Sequence, residues 1–175
     1  MSQITEEVLL TSQLDRGDLT LERAPVDVAE VVRSAVHTMR PQLPDSMTIE
    51  VEVDDHIGVA TGDSDRVQQV LVNLLDNASK YAGGPIKVSA ESADGGIRIT
   101  VADAGPGIDA ADRDRIFEKF YRADPQLRHA PSGTGLGLYI SRELVERMGG
   151  RLDLASEPGS GATFVVELPR PSLPS

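Results

Sequence analysis

Two runs of alternating apolar residues, Ile86, Val88, Ala90 and Ile97, Ile99, Val101, flank Asp94-Gly95-Gly96. That pattern defines an antiparallel hairpin with one apolar face. A second hairpin closes the chain: Leu152 and Leu154, a turn at Glu157-Pro158-Gly159-Ser160-Gly161, then Phe164, Val166 and Leu168. Ile49, Val51 and Val53 alternate as a half-buried strand, and Val59 to Thr61 forms a short one. A one-sided sheet must bury its apolar face against another layer. Three amphipathic helices are available for that. Asp27 opens the first, with Glu30 completing a capping box. Its buried face is Val28, Val31, Val32, Ala35, Val36 and Met39, and Pro41 ends it. The second runs from Asp65 to Tyr81 with Val67, Val70, Leu71, Leu74, Leu75 and Ala78 on one side, opened by Asp63 and Ser64. The third spans about Leu136 to Met148 and stops at Gly149-Gly150. A further helix is expected from about Ala110 to Phe120. Another covers residues 1 to about 16, with Ile4, Val8, Leu9 and Leu14 on one side, and Gly17 breaks it. The surface of this first helix looks incomplete, as if its packing partner were missing. The sum is about six strands and three core helices, an α+β, two-layer α/β sandwich. Its sheet is mixed or mostly antiparallel, with about three helices on one face.

The chain has 175 residues, a net charge of −11 and a pI near 4.6. That charge repels a polyphosphate backbone, so nucleic acid is an unexpected partner. A phosphate-bearing small ligand would need local donors and a divalent cation. Zero cysteines exclude disulfides and thiolate metal sites. The amino terminus is polar and acidic, with no secretory signal, and no apolar run is long enough to span a bilayer.

Beside the apolar face of the Asp65–Tyr81 helix lies a polar stripe: Arg66, Gln69, Asn73, Asn77 and Lys80. Asparagine is a poor mid-helix residue because its amide competes for the backbone. Two of them four residues apart, with a lysine three further on, suit a site. An amide carbonyl can ligate Mg2+, and a lysine can hold a phosphate. A solvated polar face would explain the stripe equally well in isolation. Asp103-Ala104-Gly105-Pro106-Gly107 follows the strand ending at Val101. Its carboxylate can accept from an exocyclic amine such as that of adenine, and its glycines permit close backbone approach. Gly133-Thr134-Gly135-Leu136-Gly137 ends a long polar loop and starts a helix, where backbone N–H groups suit a phosphate. The loop from Arg122 to Gly135 is long for a compact domain and is expected to be a mobile, functional lid.

Taken in order, these segments resemble one family. Asn73-Leu74-Leu75-Asp76-Asn77-Ala78-Ser79-Lys80-Tyr81 is similar to the N box of sensor histidine kinases. Asp103 to Gly107 resembles their first glycine box. Ile116-Phe117-Glu118-Lys119-Phe120-Tyr121-Arg122 resembles the F box, and Gly133 to Leu138 the second glycine box. The likeness runs from about residue 15 to 168. It extends to the superfamily of gyrase-type ATPases, Hsp90 chaperones, mismatch-repair ATPases and anti-sigma serine kinases. The resemblance implies the Bergerat ATP-binding fold, with ATP and Mg2+ as cofactors. It implies Asn77 as the Mg2+ ligand with Asn73 nearby, and Lys80 and Arg122 acting on the phosphates as catalytic residues. Tyr81 would pack near the nucleotide, and Asp103 would read adenine. Gly105, Gly107 and Ile108 would admit base and sugar. Gly133, Thr134, Gly135, Leu136, Gly137 and Leu138 would hinge the lid and face the phosphates, with Arg128 as a lid-side arginine. Phe117 and Phe120 would be core or lid anchors.

The family's phosphoacceptor, a histidine followed by an acidic residue and an Arg-Thr-Pro-type sequence, has no match here. His37-Thr38-Met39-Arg40-Pro41 lacks the acidic neighbour and the Thr-Pro pair and reads as helix surface. His56 and His129 sit in loops without a motif. Ser12-Gln13-Leu14-Asp15-Arg16-Gly17 leading to Pro25-Val26-Asp27 resembles the end of the family's dimerisation hairpin and its linker. The resemblance thus implies 1–20 as that remnant and 21–169 as the catalytic ATP-binding domain, with a proline-rich tail at 170–175 expected to be disordered. The implied partners are the dimerisation and phosphoacceptor domain of the same protein and a cognate response regulator. This chain is expected to be monomeric and the full-length protein a homodimer. The domain would be cytoplasmic, with a membrane anchor for the full-length protein left open. The rival reading is an anti-sigma factor serine kinase of the same superfamily.

Overall fold

The computed structural model describes residues 2–82, 84–123 and 133–172. The elements run in the order α1 (Gln3–Arg16), β1 (Ala24–Asp27), α2 (Val28–Met39), β2 (Ile49–Val53), β3 (Val59–Gly62) and α3 (Ser64–Tyr81). Then follow β4 (Ile86–Ala93), β5 (Gly96–Ala102), α4 (Gly137–Arg147), β6 (Arg151–Ser156) and β7 (Ala162–Pro169). Five strands form one mixed sheet in the order β2-β4-β5-β7-β6. Both expected hairpins are present and antiparallel, and only the β2–β4 pair is parallel. Register places Val88 opposite Val101, Val101 opposite Phe164, and Phe164 opposite Leu154. This row, in which Leu154 is half-buried, and its buried neighbours Ile86, Ile97, Ile99, Val166 and Leu168 make one apolar face. Arg98, Thr100 and Glu167 on the opposite pleat stay in reach of solvent.

Helices α2, α3 and α4 cover that face, so the expected two-layer α+β sandwich is the observed architecture. The six apolar residues named for α3 are all buried, as are all six named for α2. The caps explain where these helices begin. Asp27 accepts from the Glu30 amide at 3.0 Å, and Asp63 accepts from the Arg66 amide at 3.3 Å. Each aspartate satisfies a backbone donor that the helix itself leaves unpaired.

Three expectations change. The described residues hold seven strands rather than about six, because Ala24–Asp27 pairs antiparallel with β3 in a separate two-stranded sheet. Pro25 is tolerated there because a two-stranded ribbon is all edge. The helix expected from Ala110 to Phe120 is a series of turns with one 3-10 turn at Arg115–Phe117. Asp109, Asp112 and Asp114 favour local turns over helix, and the Asp112 carboxylate accepts the Tyr121 hydroxyl. Phe117 is buried edge-on against Phe164, ring centroids 6.4 Å apart. Phe120 is instead 67% exposed, with φ of 63°. Finally, α1 packs through Leu10, Thr11 and Leu14 onto α4, while Ile4, Val8 and Leu9 face outward. The exposed Ile4, Val8 and Leu9 agree with a helix surface whose packing partner is missing, and of the apolar residues expected on one side of α1 only Leu14 is buried.

Arg170, expected in a disordered tail, continues the sheet: its amide donates to the Gly95 carbonyl at 3.1 Å and its guanidinium to Ser92 Oγ at 2.7 Å. Residues 173–175 lie outside the described residues. Among the described residues no helix is long and apolar enough to cross a membrane.

Candidate nucleotide site

The polar stripe of α3 forms one wall of a cavity of about 650 Å3, a size typical of small-ligand sites. Asn73, Asp76, Asn77, Lys80 and Tyr81 come from α3. The loop after β5 contributes Asp103, Pro106, Gly107 and Ile108. Tyr121 and Arg122 face them from one side, with Gly133, Thr134, Gly135, Gly137 and Leu138 closing the far end. Two residues expected at the ligand stand back from it. A Cβ on Gly105 would lie 2.5 Å from the Tyr81 carbonyl oxygen, so this glycine lets the Asp103 loop approach the end of α3. Leu136 is 1% exposed and belongs to the core. Arg128 and most of the expected lid, residues 124–132, lie outside the described residues.

Asp103 is held from two sides. Its Oδ1 accepts from the Gly105 amide at 2.9 Å and the Ala162 amide at 3.3 Å, and its own amide donates to the Ala162 carbonyl at 2.9 Å. Oδ2 has no protein partner among the described residues, which leaves it as an acceptor for a ligand amine. Ile108 is fixed by its amide donating to Ser156 Oγ at 2.8 Å, while that hydroxyl donates to the Gly161 carbonyl at 2.7 Å. The base end of the cavity is therefore rigid and rich in acceptors.

The opposite end gathers cations. A Cβ on Gly133 would lie 3.9 Å from an Arg122 Nη2 and 4.0 Å from Lys80 Nζ, so both positive groups converge on the start of the glycine segment. Lys80 is paired with Asp76, one turn earlier, at 2.7 Å. The Phe120 amide donates to the Gly135 carbonyl at 2.9 Å. The positive φ of Phe120 turns the chain so that Tyr121 and Arg122 enter the cavity wall. The F-box segment and the glycine segment are thus tied by backbone.

No cluster of three or more His, Cys, Asp or Glu able to hold a metal ion occurs among the described residues. The oxygen donors that α3 brings to the cavity are the Asn73 and Asn77 carboxamides and the Asp76 carboxylate. That donor set is hard but sparse, and it fits Mg2+, which keeps its waters and is bound chiefly through ligand phosphates.

Sequence reasoning missed two groups. Asp76 lies between the asparagines and four residues before Lys80, a spacing that already signals an ion pair. Glu7 of α1 also lines the cavity, and its carboxylate accepts the Thr134 hydroxyl. Nothing in the sequence marks Glu7, because its place follows from how α1 docks. That docking is fixed at its other end by Asp15, which pairs with Lys119 at 2.6 Å and accepts the Tyr139 hydroxyl at 2.9 Å. Arg147 adds a hydrogen bond to the Leu14 carbonyl at 2.7 Å. The Lys119 ammonium, then the Tyr139 hydroxyl, hold the Asp15 carboxyl below its ordinary range.

Residues 62–172 match the family model described as histidine kinase-, DNA gyrase B- and HSP90-like ATPase. Among curated proteins, the signal transduction histidine-protein kinase BaeS of Escherichia coli K12 is 33% identical over 97% of this chain and 37% of its own length. The chain thus spans about a third of the curated relatives it matches. Among solved structures, full-length ShkA in complex with AMPPNP superposes with a TM-score of 0.83 at 32% identity, covering 97% of this chain and 35% of that one. The mycobacterial sensor histidine kinase MprB gives a TM-score of 0.73 at 31% identity, over 86% of this chain and all of that one. The chain therefore belongs to the histidine kinase-, DNA gyrase B- and HSP90-like ATPase family.

Proposed function

We propose that this chain is the ATP-binding catalytic domain of a sensor histidine kinase. It takes Mg-ATP into the cavity and directs the γ-phosphoryl group to a histidine on a dimerisation domain outside this chain. From there the phosphoryl group passes to a response regulator. The observation that carries the reading is the polarity of the cavity: a fixed carboxylate, Asp103, at one end and two converging cations, Lys80 and Arg122, at the other. A nucleotide has the same polarity, a donor amine on adenine and an anionic triphosphate. Asp103 reads the base, Tyr81 and Ile108 flank base and sugar, and the amides from Gly133 to Gly137 face the phosphates. Lys80, released from Asp76, and Arg122 offset the charge of the transferring group. Mg2+, when bound, would be held by Asn77 and Asn73 and would neutralise phosphate charge. The chain's contribution is positioning and electrostatics rather than covalent chemistry. The acceptor imidazole is already nucleophilic when neutral, so no base is needed in this domain. In this reading α1 is the end of the dimerisation hairpin, and its exposed Val8 and Leu9 meet the rest of that hairpin. The domain works in the cytoplasm.

The test is to incubate this chain with γ-labelled ATP and a separate hairpin fragment carrying the motif histidine. Slow, acid-labile labelling of the hairpin is expected, because tethering is absent. No label is expected on this chain alone, whose His37 is an exposed residue on α2. Acid-stable label on a serine would favour the serine-kinase alternative instead.

A further inference from the structure

Asn73 is pinned by a residue that none of the sequence motifs contains. Its Nδ2 donates to Ser141 Oγ at 2.7 Å, across the interface between α3 and α4. Ser141 is 1% exposed, one of only three buried polar side chains among the described residues. Four residues earlier on the same face of α4 stands Gly137. A Cβ there would lie 2.4 Å from Asn73 Oδ1 and 2.9 Å from Nδ2. Gly137 heads the helix with an ordinary φ, unlike Gly133 and Gly135 with φ of 102° and 76°. Its backbone therefore makes no demand for glycine, and alanine would be the better helix former. What requires glycine there is the asparagine amide lying against its Cα. Gly137 and Ser141 together form a socket one helical turn long that holds one carboxamide.

A carboxamide has two orientations that differ by a half-turn and reverse its chemistry. With Nδ2 committed to Ser141, the acceptor Oδ1 has no protein partner among the described residues and Asn73 lines the cavity. Turned over, the same side chain would offer an N–H2 donor, which suits a phosphate oxygen and repels a cation. We propose that Ser141 is a positioning residue that holds the Asn73 carboxamide at the cavity wall with Oδ1 open to a cation, with Gly137 supplying the room. Ser141 thereby tunes how strongly nucleotide binding depends on Mg2+. The inference rests on the Mg-ATP reading above.

The experiment is calorimetric titration of the folded chain with ADP, once in excess Mg2+ and once in EDTA. Ser141→Ala should weaken the Mg2+ titration about three- to tenfold, the worth of one hydrogen bond. In EDTA the change should stay within about twofold, since no cation is there to use Oδ1. Ser141→Cys, which keeps a side chain of similar shape but offers only a weak acceptor, should show the same Mg2+-selective loss. It carries the test if Ser141→Ala fails to fold, as judged by circular dichroism. In an Asn73→Ala background, Ser141→Ala should have no further effect. Equal losses with and without Mg2+, or a full Ser141→Ala effect in the Asn73→Ala background, would overturn the role given to Ser141. If Asn73→Ala leaves Mg-ADP affinity intact while Asn77→Ala removes it, the socket is structural only and the inference fails, with the wider reading standing. If the unaltered chain binds no nucleotide at all, the wider reading fails and this one with it.

Discussion

The turn between β6 and β7 contains its own controlled experiment. Gly159 and Gly161 sit two residues apart with nearly the same left-handed backbone, φ of 82° and 75°. Alanine at either position would suffer about 1–2 kcal/mol for that conformation. Their surroundings differ. Around Gly159 a Cβ would meet nothing within 4 Å, whereas at Gly161 it would lie 2.0 Å from the Asp103 carbonyl oxygen. An ordinary carbon–oxygen contact needs about 3.3 Å, so the Asp103 loop would have to retreat by more than an ångström. That overpacking costs about 1–3 kcal/mol. The retreat also loosens the Asp103–Ala162 pair and the Ser156 Oγ bond to the Gly161 carbonyl, each worth about 1 kcal/mol. Gly159→Ala should therefore lose about 1–2 kcal/mol, and Gly161→Ala about 4–7 kcal/mol. Urea unfolding followed by circular dichroism measures both. Because the retreat moves Asp103, Gly161→Ala should also weaken adenine nucleotide binding, while Gly159→Ala should leave it unchanged. Two variants within about 0.5 kcal/mol of each other would refute the argument that close approach, rather than backbone conformation, dictates glycine at 161.

Three further outcomes are expected. Asn77→Ala should abolish Mg-ATP binding yet retain the circular dichroism of the fold, because its side chain lines the cavity and opens no core void; unchanged calorimetric affinity removes it from the site. Asp103 should set base choice: guanine would put a carbonyl oxygen against Oδ2, a mispair of about 1–3 kcal/mol, so GTP should compete far less well than ATP with a fluorescent analogue. The docking of α1 should weaken in acid. The Asp15 carboxyl is held below its ordinary range by Lys119 and then Tyr139, so its contribution is present above that ordinary range and fades as pH falls through the lowered one. Asp15→Asn should flatten the acid limb of a pH–stability profile, and an unaltered limb would show that the ion pair does not hold the helix.

The helices α2 and α3 and both hairpins were legible because one periodicity dominates each, and the caps Asp27 and Asp63 stand where the patterns start. Asn73, Asn77, Lys80 and Asp103 stood out through the order and spacing of their motifs rather than singly, and the fold brings them to the lining of one cavity. The segment from Ala110 to Phe120 was misread because its form is set from outside: Tyr121 reaching back to Asp112, Phe117 seated on Phe164, and the Phe120 amide bonded to Gly135. None of those contacts leaves a periodic trace. The orientation of α1 was hidden for the same reason. The longest apolar streak on that helix points outward, and a lone leucine pair with a threonine makes the contact. Ser141 and Glu7 could not be singled out, since each matters only through a partner 68 or 127 residues away.

The single parallel pairing in the sheet has a consequence for how the chain reaches its native state. Strands β4–β5 and β6–β7 are neighbours in sequence and can zip locally. Strand β2 can join β4 only after the intervening β3 and α3 have been threaded between them. Closing that larger loop before any contact rewards it is slow. The edge strand should thus dock after the folding barrier, with the hairpins and α3 forming the nucleus. Val51→Ala should mainly speed unfolding, whereas Val88→Ala should slow refolding. Stopped-flow chevrons for the two variants report the difference, and a slowed refolding limb for Val51→Ala would place the parallel edge in the nucleus instead.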